Sequence, residues 1–338
     1  MSTTPFGYQD KILLTRPQVT DLLQLAARRG VSAEKLLSGT TIFPADLHKP
    51  QHRIHSSAWL KFMQQCQQLQ SPELPFLTAS AWLQNADIPL CTLLQHANNL
   101  QQALKHLLYF RHQLAPYLFV RLQQQADHIS IELLPAIGLG GQQQFVCEVW
   151  LSLLLQLIKQ QLGSTQGCQI SLRWPAPKTA SAYQALWPAE VCYQQPCTAI
   201  HINRHCWHQP FRSAEPDKFH RARQTCRQQN LLLAKQRGVL EFAWRQLSKA
   251  LPALLTQEQL AQSFGISVSA LKRLLQQHHT SYSQLLDEVR NQLALSLLSQ
   301  QDLSNRQLAE RLGYSDEHNF RRAFKRWTGA IPSAFRLL

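Results

Sequence analysis

Two copies of one pattern near the C-terminus constrain the fold more than any other feature of this sequence. In the first copy, over residues 257–278, a helix with apolar periodicity ends at Gly265, and Ser267 is placed to cap a second helix. In the second copy, over residues 305–329, Gly313 and Ser315 repeat the same turn 48 residues later. A helix, a glycine turn and another helix predict a helix-turn-helix unit, so we expect two such units in one all-α domain.

The second helix of each unit is amphipathic, with polar and basic side chains opposite an apolar face. The polar face of the first is predicted to carry Ser269, Lys272, Arg273 and Gln276. The polar face of the second is predicted to carry His318, Asn319 and Arg322, flanked by Arg321 and Arg326. A solvated basic face is the alternative for one such helix alone. Because the pattern recurs in both units, it favours recognition helices that lie in the major groove of DNA.

A third helical pattern, Tyr282–Ser299, separates the two units. Its apolar residues recur at intervals of three and four, which predicts one continuous linker helix. Such a helix would set the separation of the two recognition helices. They could then contact successive major grooves, about 34 Å apart on one face of the duplex.

The distribution of charge indicates a polyanionic partner for the same region. The chain has 34 Lys and Arg against 20 Asp and Glu, a formal net charge of +14. Residues 216–338 hold 18 of the basic and 9 of the acidic residues, a net +9, whereas residues 1–215 have a net +5. Positive charge attracts nucleic acid or an anionic membrane surface, so the C-terminal third is the part expected to bind DNA.

The first 209 residues have the pattern of an α+β domain. Periodicity predicts helices over Val19–Arg29, Ser57–Gln68, Leu90–Leu108 and Phe145–Leu162, and strands over Tyr117–Leu122, His128–Leu134, Cys168–Trp174 and Ala199–Asn203. The prolines of Pro210–Asp217 mark a change of composition. We therefore expect a regulatory domain over 1–209, a linker over 210–234 and a DNA-binding domain over 235–338.

The C-terminal motifs resemble those of one family of regulators. The run GYSDEHNFRRAFKRWTGAIPSAFR, together with LLDEVRNQLALSLL before it, is similar to the signature of the AraC/XylS transcriptional regulators. This resemblance covers about residues 235–336. It implies two helix-turn-helix motifs joined by a linker helix, with base-reading positions at Ser269, Lys272, Arg273, His318, Asn319 and Arg322. Phe335 departs from the family pattern, which usually has tyrosine there, and Ser269 is small where some members have a large side chain.

The N-terminal part resembles, less specifically, the arabinose-binding-type sensor domain of one AraC-like subfamily. Three runs carry this resemblance: LLQLAARRGVSAEKLLSGT, LQQALKHLLYF and ALWPAEVCY. It implies that the first 210 residues sense a small-molecule effector, without implying arabinose. Promoter DNA, RNA polymerase and the effector are the partners expected of such a regulator, and a homodimer is possible.

Other chemistries leave weaker signals. Cys192, Cys197, His201, His205 and Cys206 approach a zinc-finger spacing only loosely, and a strand pattern runs through them. We therefore expect no metal and no cofactor. The alternative to a simple regulator is a cysteine-based group-accepting enzyme fused to a DNA-binding domain, which requires a thiol with a low pKa in a basic setting. Cys226 is the one candidate for that setting, and a third possibility is an architectural DNA binder.

The sequence also bears on cellular location. No apolar stretch approaches the roughly 20 residues of a membrane span, and the first ten residues have no apolar signal-peptide core. The eight cysteines have irregular spacings, which is typical of reduced thiols. We expect a cytoplasmic protein with no membrane partner.

Overall fold

The structure is a computed structural model of the chain, and it describes residues 4–49, 52–69, 71–177, 180–232, 237–300 and 302–336. It has an α+β part up to residue 232 and an all-α part from residue 237. The predicted fold class is confirmed. Among the described residues, no helix is long and apolar enough to cross a lipid bilayer.

The N-terminal part contains ten α-helices among the described residues, together with two sheets. The helices are α1 (Thr15–Gln18), α2 (Thr20–Ala27), α3 (Ala33–Leu37), α4 (Ser56–Gln67), α5 (Leu74–Gln84), α6 (Pro89–Gln95), α7 (Leu100–Phe110), α8 (Gln143–Leu162), α9 (Ala180–Leu186) and α10 (Pro216–Leu232). A small antiparallel sheet pairs β1 (Lys11–Leu14) with β2 (Arg53–His55). The larger sheet consists of β3 (Leu118–Gln124), β4 (His128–Pro135), β5 (Cys168–Ser171), β6 (Glu190–Cys192) and β7 (Ala199–Asn203).

The larger sheet has the strand order β3-β4-β7-β5-β6, and its two faces differ in chemistry. Successive side chains of a strand point to opposite faces. Ile131, Ile200 and Ile170 are in register across the central strands and belong to the same hydrophobic core as α8, which packs along α5. The opposite face of these strands carries polar residues such as Glu132 and His201. The sheet therefore covers the core with one face and presents a polar surface on the other.

The apolar periodicity of residues 90–108 predicted one helix, and this prediction is wrong. The structure has two helices, because α6 ends at Gln95 and Asn99 caps α7, its Oδ1 accepting the N–H of Gln102 at 2.9 Å. The residues between them pair with a later segment of the chain, since the N–H of Phe211 donates to the carbonyl of Asn98 at 2.9 Å. Both the side-chain cap and this long-range backbone pairing interrupt a helix that periodicity alone would continue.

Most of the segment expected to be a linker is helical. α10 packs on α6, and its Phe219, Ala222 and Cys226 are buried in the core of the N-terminal part. Gln113 Nε2 donates a hydrogen bond to the carbonyl of Cys226 at 2.6 Å. Residues 216–232 therefore belong structurally to the N-terminal part. The boundaries at residues 209 and 235 stay predictions, and Lys235 lies outside the described residues.

The C-terminal part consists of α11 (Val239–Ala250), α12 (Gln257–Phe264), α13 (Val268–Gln277), α14 (Tyr282–Gln300), α15 (Asn305–Arg311) and α16 (Glu317–Thr328). It has two hydrophobic cores, and α14 contributes to both. Leu285 and Val289 belong to the core of α11, α12 and α13, whereas Ala294 and Leu298 belong to the core of α15 and α16. The predicted linker helix thus supplies part of each core.

The two parts meet at α11. Arg111 of the N-terminal part and Glu241 of α11 form a buried ion pair, and Trp244 of α11 packs on Phe119 with ring centroids 5.7 Å apart. The N-terminal segment adds backbone pairing, because the N–H of Val239 donates to the carbonyl of Phe6 at 3.0 Å. These contacts dock the first helix of the C-terminal part directly against the N-terminal part.

A second contact joins the loop after β4 to the end of α13. The N–H of Gly138 donates to Nδ1 of His278 at 3.0 Å, and the Tyr8 ring packs against the His278 ring, tilted by 50° with centroids 4.2 Å apart. A Cβ atom on Gly138 would lie 2.6 Å from both the His278 carbonyl oxygen and Tyr8 Oη. Such distances are too short for any side chain, so glycine is what allows this close approach.

Candidate nucleic-acid interface

The first unit, α12 and α13, has capping contacts at both ends of its turn. The Thr256 hydroxyl accepts the N–H of Gln259 at 3.3 Å, and the Gln259 side chain accepts the N–H of Thr256 at 2.8 Å, which forms a capping box. Gly265 ends α12 with φ of 70°. The Ser267 hydroxyl accepts the N–H of Ala270 at 3.2 Å and begins α13. The helix ends thus lie where the sequence predicted them.

The second unit, α15 and α16, repeats this design with a shift of one residue. Gly313 has φ of 71°, which matches Gly265. However, the helix that follows is capped by Asp316, whose Oδ1 accepts the N–H of Asn319 at 2.8 Å, and not by Ser315. Because the cap is one residue later, the first buried aromatic residue, Phe320, lies seven residues after its glycine, whereas Leu271 lies six after Gly265.

Both recognition helices bury one face and expose the other. Leu271, Leu275, Phe320 and Phe324 are fully buried. The exposed residues include Ser269, Lys272, Arg273, Gln276, His318, Arg321, Arg322 and Arg326, while Asn319 is half-buried. The nine positions predicted to contact DNA therefore lie opposite the two cores, as amphipathic recognition helices require. Which of them contact DNA stays a prediction.

Arg322 belongs to a chain of hydrogen bonds along α16. Its Nη2 donates to Asn319 Oδ1 at 2.6 Å, and Asn319 Nδ2 donates to Asp316 Oδ2 at 2.6 Å. Asp316 is also the helix cap, and its hydrogen bonds hold the pKa of its carboxyl below the usual range. The guanidinium is thus oriented over the N-terminal half of α16, where recognition helices contact base edges.

Arg326 has a different partner. Its Nη2 lies 2.8 Å from Oδ2 of Asp287 on α14, in an ion pair whose side chains remain partly exposed. Arg290, also on α14, has a structural role: its guanidinium donates to the carbonyls of Leu312 and Gly313, both at 3.0 Å, and lies 4.2 Å from the centroid of the Tyr314 ring. These contacts fix α16 relative to α14.

The cysteines have no features of nucleophiles. Burial raises the pKa of each of the eight thiols above its ordinary value, and raises that of Cys226 to about 12. Reactive cysteines need the opposite shift. Within the described ranges, no group of three or more His, Cys, Asp or Glu is placed to hold a metal ion. Nothing here supports the alternative of a cysteine-based enzyme.

The comparison with known protein families covers both parts of the chain. Residues 30–211 match the arabinose-binding domain of the AraC transcription regulator, an N-terminal domain, and residues 260–337 match a helix-turn-helix domain. The chain belongs to the AraC family of transcriptional regulators. As an AraC-family regulator it has a DNA-binding C-terminal part and a ligand-binding N-terminal domain, and both functional assignments made from the sequence are confirmed.

Three individual proteins illustrate what this chain is similar to. The ornithine utilization regulator of Pseudomonas aeruginosa is 27% identical over 93% of this AraC-family chain and 94% of its own length. The regulator VqsM of the same organism is 32% identical over 25% of each chain. A DNA-binding transcriptional dual regulator of Escherichia coli K-12, of known structure, is 29% identical over 31% of this chain and 94% of its own, with a TM-score of 0.29.

The residues at the junction of the two parts were missed by sequence reasoning. Arg111, Glu241, Gly138 and His278 lie in four separate segments, and no local motif marks any of them. The sequence carries one signal, because the glycines at 138, 140 and 141 predict a turn. Its close backbone approach to His278 depends on a pairing across 140 residues, which periodicity does not reveal.

Proposed function

We propose that this AraC-family regulator binds a promoter operator through α13 and α16 together, and that a small-molecule effector in the N-terminal part changes that binding. The observation that carries the DNA proposal is the position of the nine predicted contact residues, eight of them exposed and Asn319 half-buried, opposite two packed cores that share α14. Lys and Arg side chains would supply affinity through phosphates, and Arg322 and its neighbours would supply base preference.

The effector class that we propose is a basic amino acid or a related amine. A relative that aligns with 93% of this chain is named an ornithine utilization regulator. Ornithine is therefore the first member of this class to test. We further propose that the regulator acts in the cytoplasm, contacts RNA polymerase at its promoter and functions as a homodimer.

Genomic footprinting with the purified full-length protein tests the DNA proposal. We expect protected sites whose affinity falls by about 10³ to 10⁵ between 50 and 200 mM salt, as expected if roughly 6–10 phosphates are neutralised. Footprints repeated with L-ornithine test the effector proposal separately. Binding that does not change with salt, or that shows no preference over random DNA, would overturn the assignment of the recognition helices.

A further inference from the structure

A cleft of about 920 Å³ lies between the polar face of the larger sheet and the second half of α14. Its floor includes Glu132 and Ser130 of β4, Ser171 of β5 and His201 of β7. Its roof includes Leu295 and Ser299 of α14, together with Phe335 near the C-terminus. A molecule in this cleft would contact both the N-terminal part and the helix that joins the two helix-turn-helix units.

The charge of this cleft differs from that of the whole protein. The chain has a net charge of +14, yet the described residues that line the cleft include Asp127, Glu132 and Glu190 and no Lys or Arg. The remaining polar lining consists mainly of amides and hydroxyls. A surface of this kind is complementary to a cation. It is not complementary to the anionic DNA that the rest of the protein attracts.

Glu132 is the central group of the floor. It is 4% exposed, and Arg121 Nη1 lies 2.9 Å from its Oε2. Arg121 is the hydrogen-bond donor that the described residues provide for this carboxylate. A carboxylate has about four acceptor sites, so Glu132 retains capacity for a further donor. A buried carboxylate with unfilled acceptor sites is stabilised when a ligand supplies that donor.

His201 adds hydrogen-bonding groups without adding positive charge. Its Nδ1 lies 2.7 Å from the Ser130 hydroxyl, and its Nε2 lies 2.9 Å from the Ser171 hydroxyl. Burial lowers the pKa of His201 to about 4, so the ring is neutral near pH 7. The neutral ring orients both hydroxyls, and each keeps hydrogen-bonding capacity for a bound molecule.

We propose that this cleft is the effector site and that it binds a small organic cation whose primary ammonium group pairs with Glu132. The carbon chain of such a cation would lie against Leu295 and Phe335 of the roof. This inference rests on the proposed control by an effector, and it adds the place and the chemistry that recognises the ligand. A net cation with a short aliphatic chain, such as a diamine or a basic amino acid, meets these requirements.

The residues of the roof connect the cleft to the helices that are proposed to bind DNA. α14 contributes to both cores of the C-terminal part, and Phe335 packs on Phe324 of α16 with ring centroids 5.4 Å apart. A cation in the cleft would therefore favour the arrangement in which the sheet and α14 are close. A ligand shifts an equilibrium only by its difference in affinity for the two states. The cleft can give a difference in affinity between the two states because its floor and its roof belong to different parts of the protein.

Calorimetric titration of the full-length protein tests the site. The probes are L-ornithine and putrescine, with L-norvaline as the analogue of ornithine that lacks the δ-ammonium group and therefore has no net charge. We expect the two cations to bind and L-norvaline not to bind. Equal binding of L-norvaline, or no binding of either cation, would overturn the proposed ligand class, whereas the salt-dependent footprint of the protein alone decides the DNA proposal independently.

Two variants locate the site. Glu132→Gln removes the charge of the floor, and Ser299→Trp fills the cleft from the roof. In each we expect cation affinity to fall by about tenfold to a hundredfold: in Glu132→Gln because one charge-assisted hydrogen bond is lost, and in Ser299→Trp because the indole ring occupies the space of the ligand. Glu34→Gln is the matched control, because Glu34 is exposed on α3 and outside this cleft, and it should leave cation binding unchanged. If Glu132→Gln does not fold, Ser299→Trp alone decides. Wild-type cation affinity in a folded Ser299→Trp protein would place the site elsewhere.

Discussion

Arg111 and Glu241 form a buried ion pair across the junction of the two parts, with Arg111 Nη2 2.5 Å from Glu241 Oε2. The side chain of Arg111 is 9% exposed and that of Glu241 is 1% exposed. Glu241 has a second cation, because Arg245 Nε lies 3.0 Å from its Oε1. Arg111 in turn donates to the carbonyl of Leu118 at 2.6 Å. The pair therefore connects the end of α7, the start of β3 and α11.

The first prediction concerns the cost of breaking this pair. Glu241→Gln leaves the Arg111 guanidinium buried without a counter-charge, so we expect a loss of about 3–5 kcal/mol in the free energy of unfolding. Arg111→Met should cost less, because Glu241 keeps Arg245. Urea denaturation of the full-length variants measures both losses. Arg306→Ala breaks the exposed Arg306–Glu310 pair and should cost less than about 1 kcal/mol. Equal costs for Glu241→Gln and Arg306→Ala would contradict the role given to burial.

The second prediction concerns the junction at Gly138. A Cβ atom there would clash with the backbone of His278, so Gly138→Ala should separate the loop after β4 from α13. We expect faster proteolysis near Gly138 and His278 and unchanged secondary structure. Gly141→Ala is the control, since a Cβ atom on Gly141 meets nothing within 4 Å and the residue has no positive φ. Identical proteolysis of the two variants would show that the contact does not hold the parts together.

The third prediction is a dependence of stability on pH. Burial lowers the pKa of His278 to about 4, whereas an unfolded histidine titrates near 6.5. The unfolded state therefore binds the proton more readily between pH 6.5 and pH 4. The contribution of neutral His278 to the free energy of unfolding should be fully present above pH 6.5. It should fall as the pH decreases through this window, by at most about 1.4 kcal/mol per pH unit for one group.

His112 and His201, whose pKa values burial lowers to about 3 and about 4, act in the same direction. His278→Gln removes one of the three groups. Urea denaturation at several pH values should then give a shallower decline than in the wild-type protein. A decline of unchanged slope would mean that His278 is protonated as easily in the folded as in the unfolded state.

The fourth prediction separates base recognition from phosphate contact in α16. Arg322→Ala should weaken operator binding by about 1–3 kcal/mol and relax preference at one base position, because a guanidinium can pair bidentately with guanine. Arg326→Ala should weaken binding to all sequences and reduce the salt slope by about one. Selection from randomised operators measures the preference of each variant. The placement of α16 in the groove is wrong if Arg322→Ala keeps every wild-type base preference.

The fifth prediction is that the fragment from residue 235 to residue 338 folds and binds DNA alone. Its two hydrophobic cores are separate from the core of the N-terminal part, and Glu241 retains Arg245 within the fragment. Because the cleft floor is missing, the fragment should not respond to the effector. Circular dichroism and gel shift measure these properties. A fragment that responds to the effector like the full chain would contradict the proposed division of labour.

Local patterns predicted the helix-turn-helix units well, because their information is local. Gly265, Ser267 and the spacing of Leu271 and Leu275 lie within a dozen residues of one another, and the helix bounds follow from them. The exposure of Arg273 and Arg322 follows from the same spacing. The shift of one residue between the two units has a local cause as well. Asp316 caps α16 in place of Ser315, although both residue types are good helix caps.

Features of the fold that depend on contacts between distant segments do not follow from local sequence patterns. The break at Asn99 depends on the pairing of Asn98 with Phe211, and the helical α10 depends on burial of Phe219 against α6. The strand order places β7 between β4 and β5, which no local pattern indicates. Local patterns indicate the cleft even less, because the strand residues of its floor and the α14 residues of its roof lie more than 85 positions apart in the sequence. Such sites arise only when the two parts dock.

The shared helix α14 has a consequence for the operator itself. Because Val289 and Ala294 belong to two cores that share one helix, DNA binding by α13 and α16 together would require one fixed interval between the two half-sites. Five extra base pairs are about half a turn of the duplex, and they would rotate one half-site to the far side. Insertions and deletions that leave every contacted base intact should therefore abolish regulation as completely as base substitutions do.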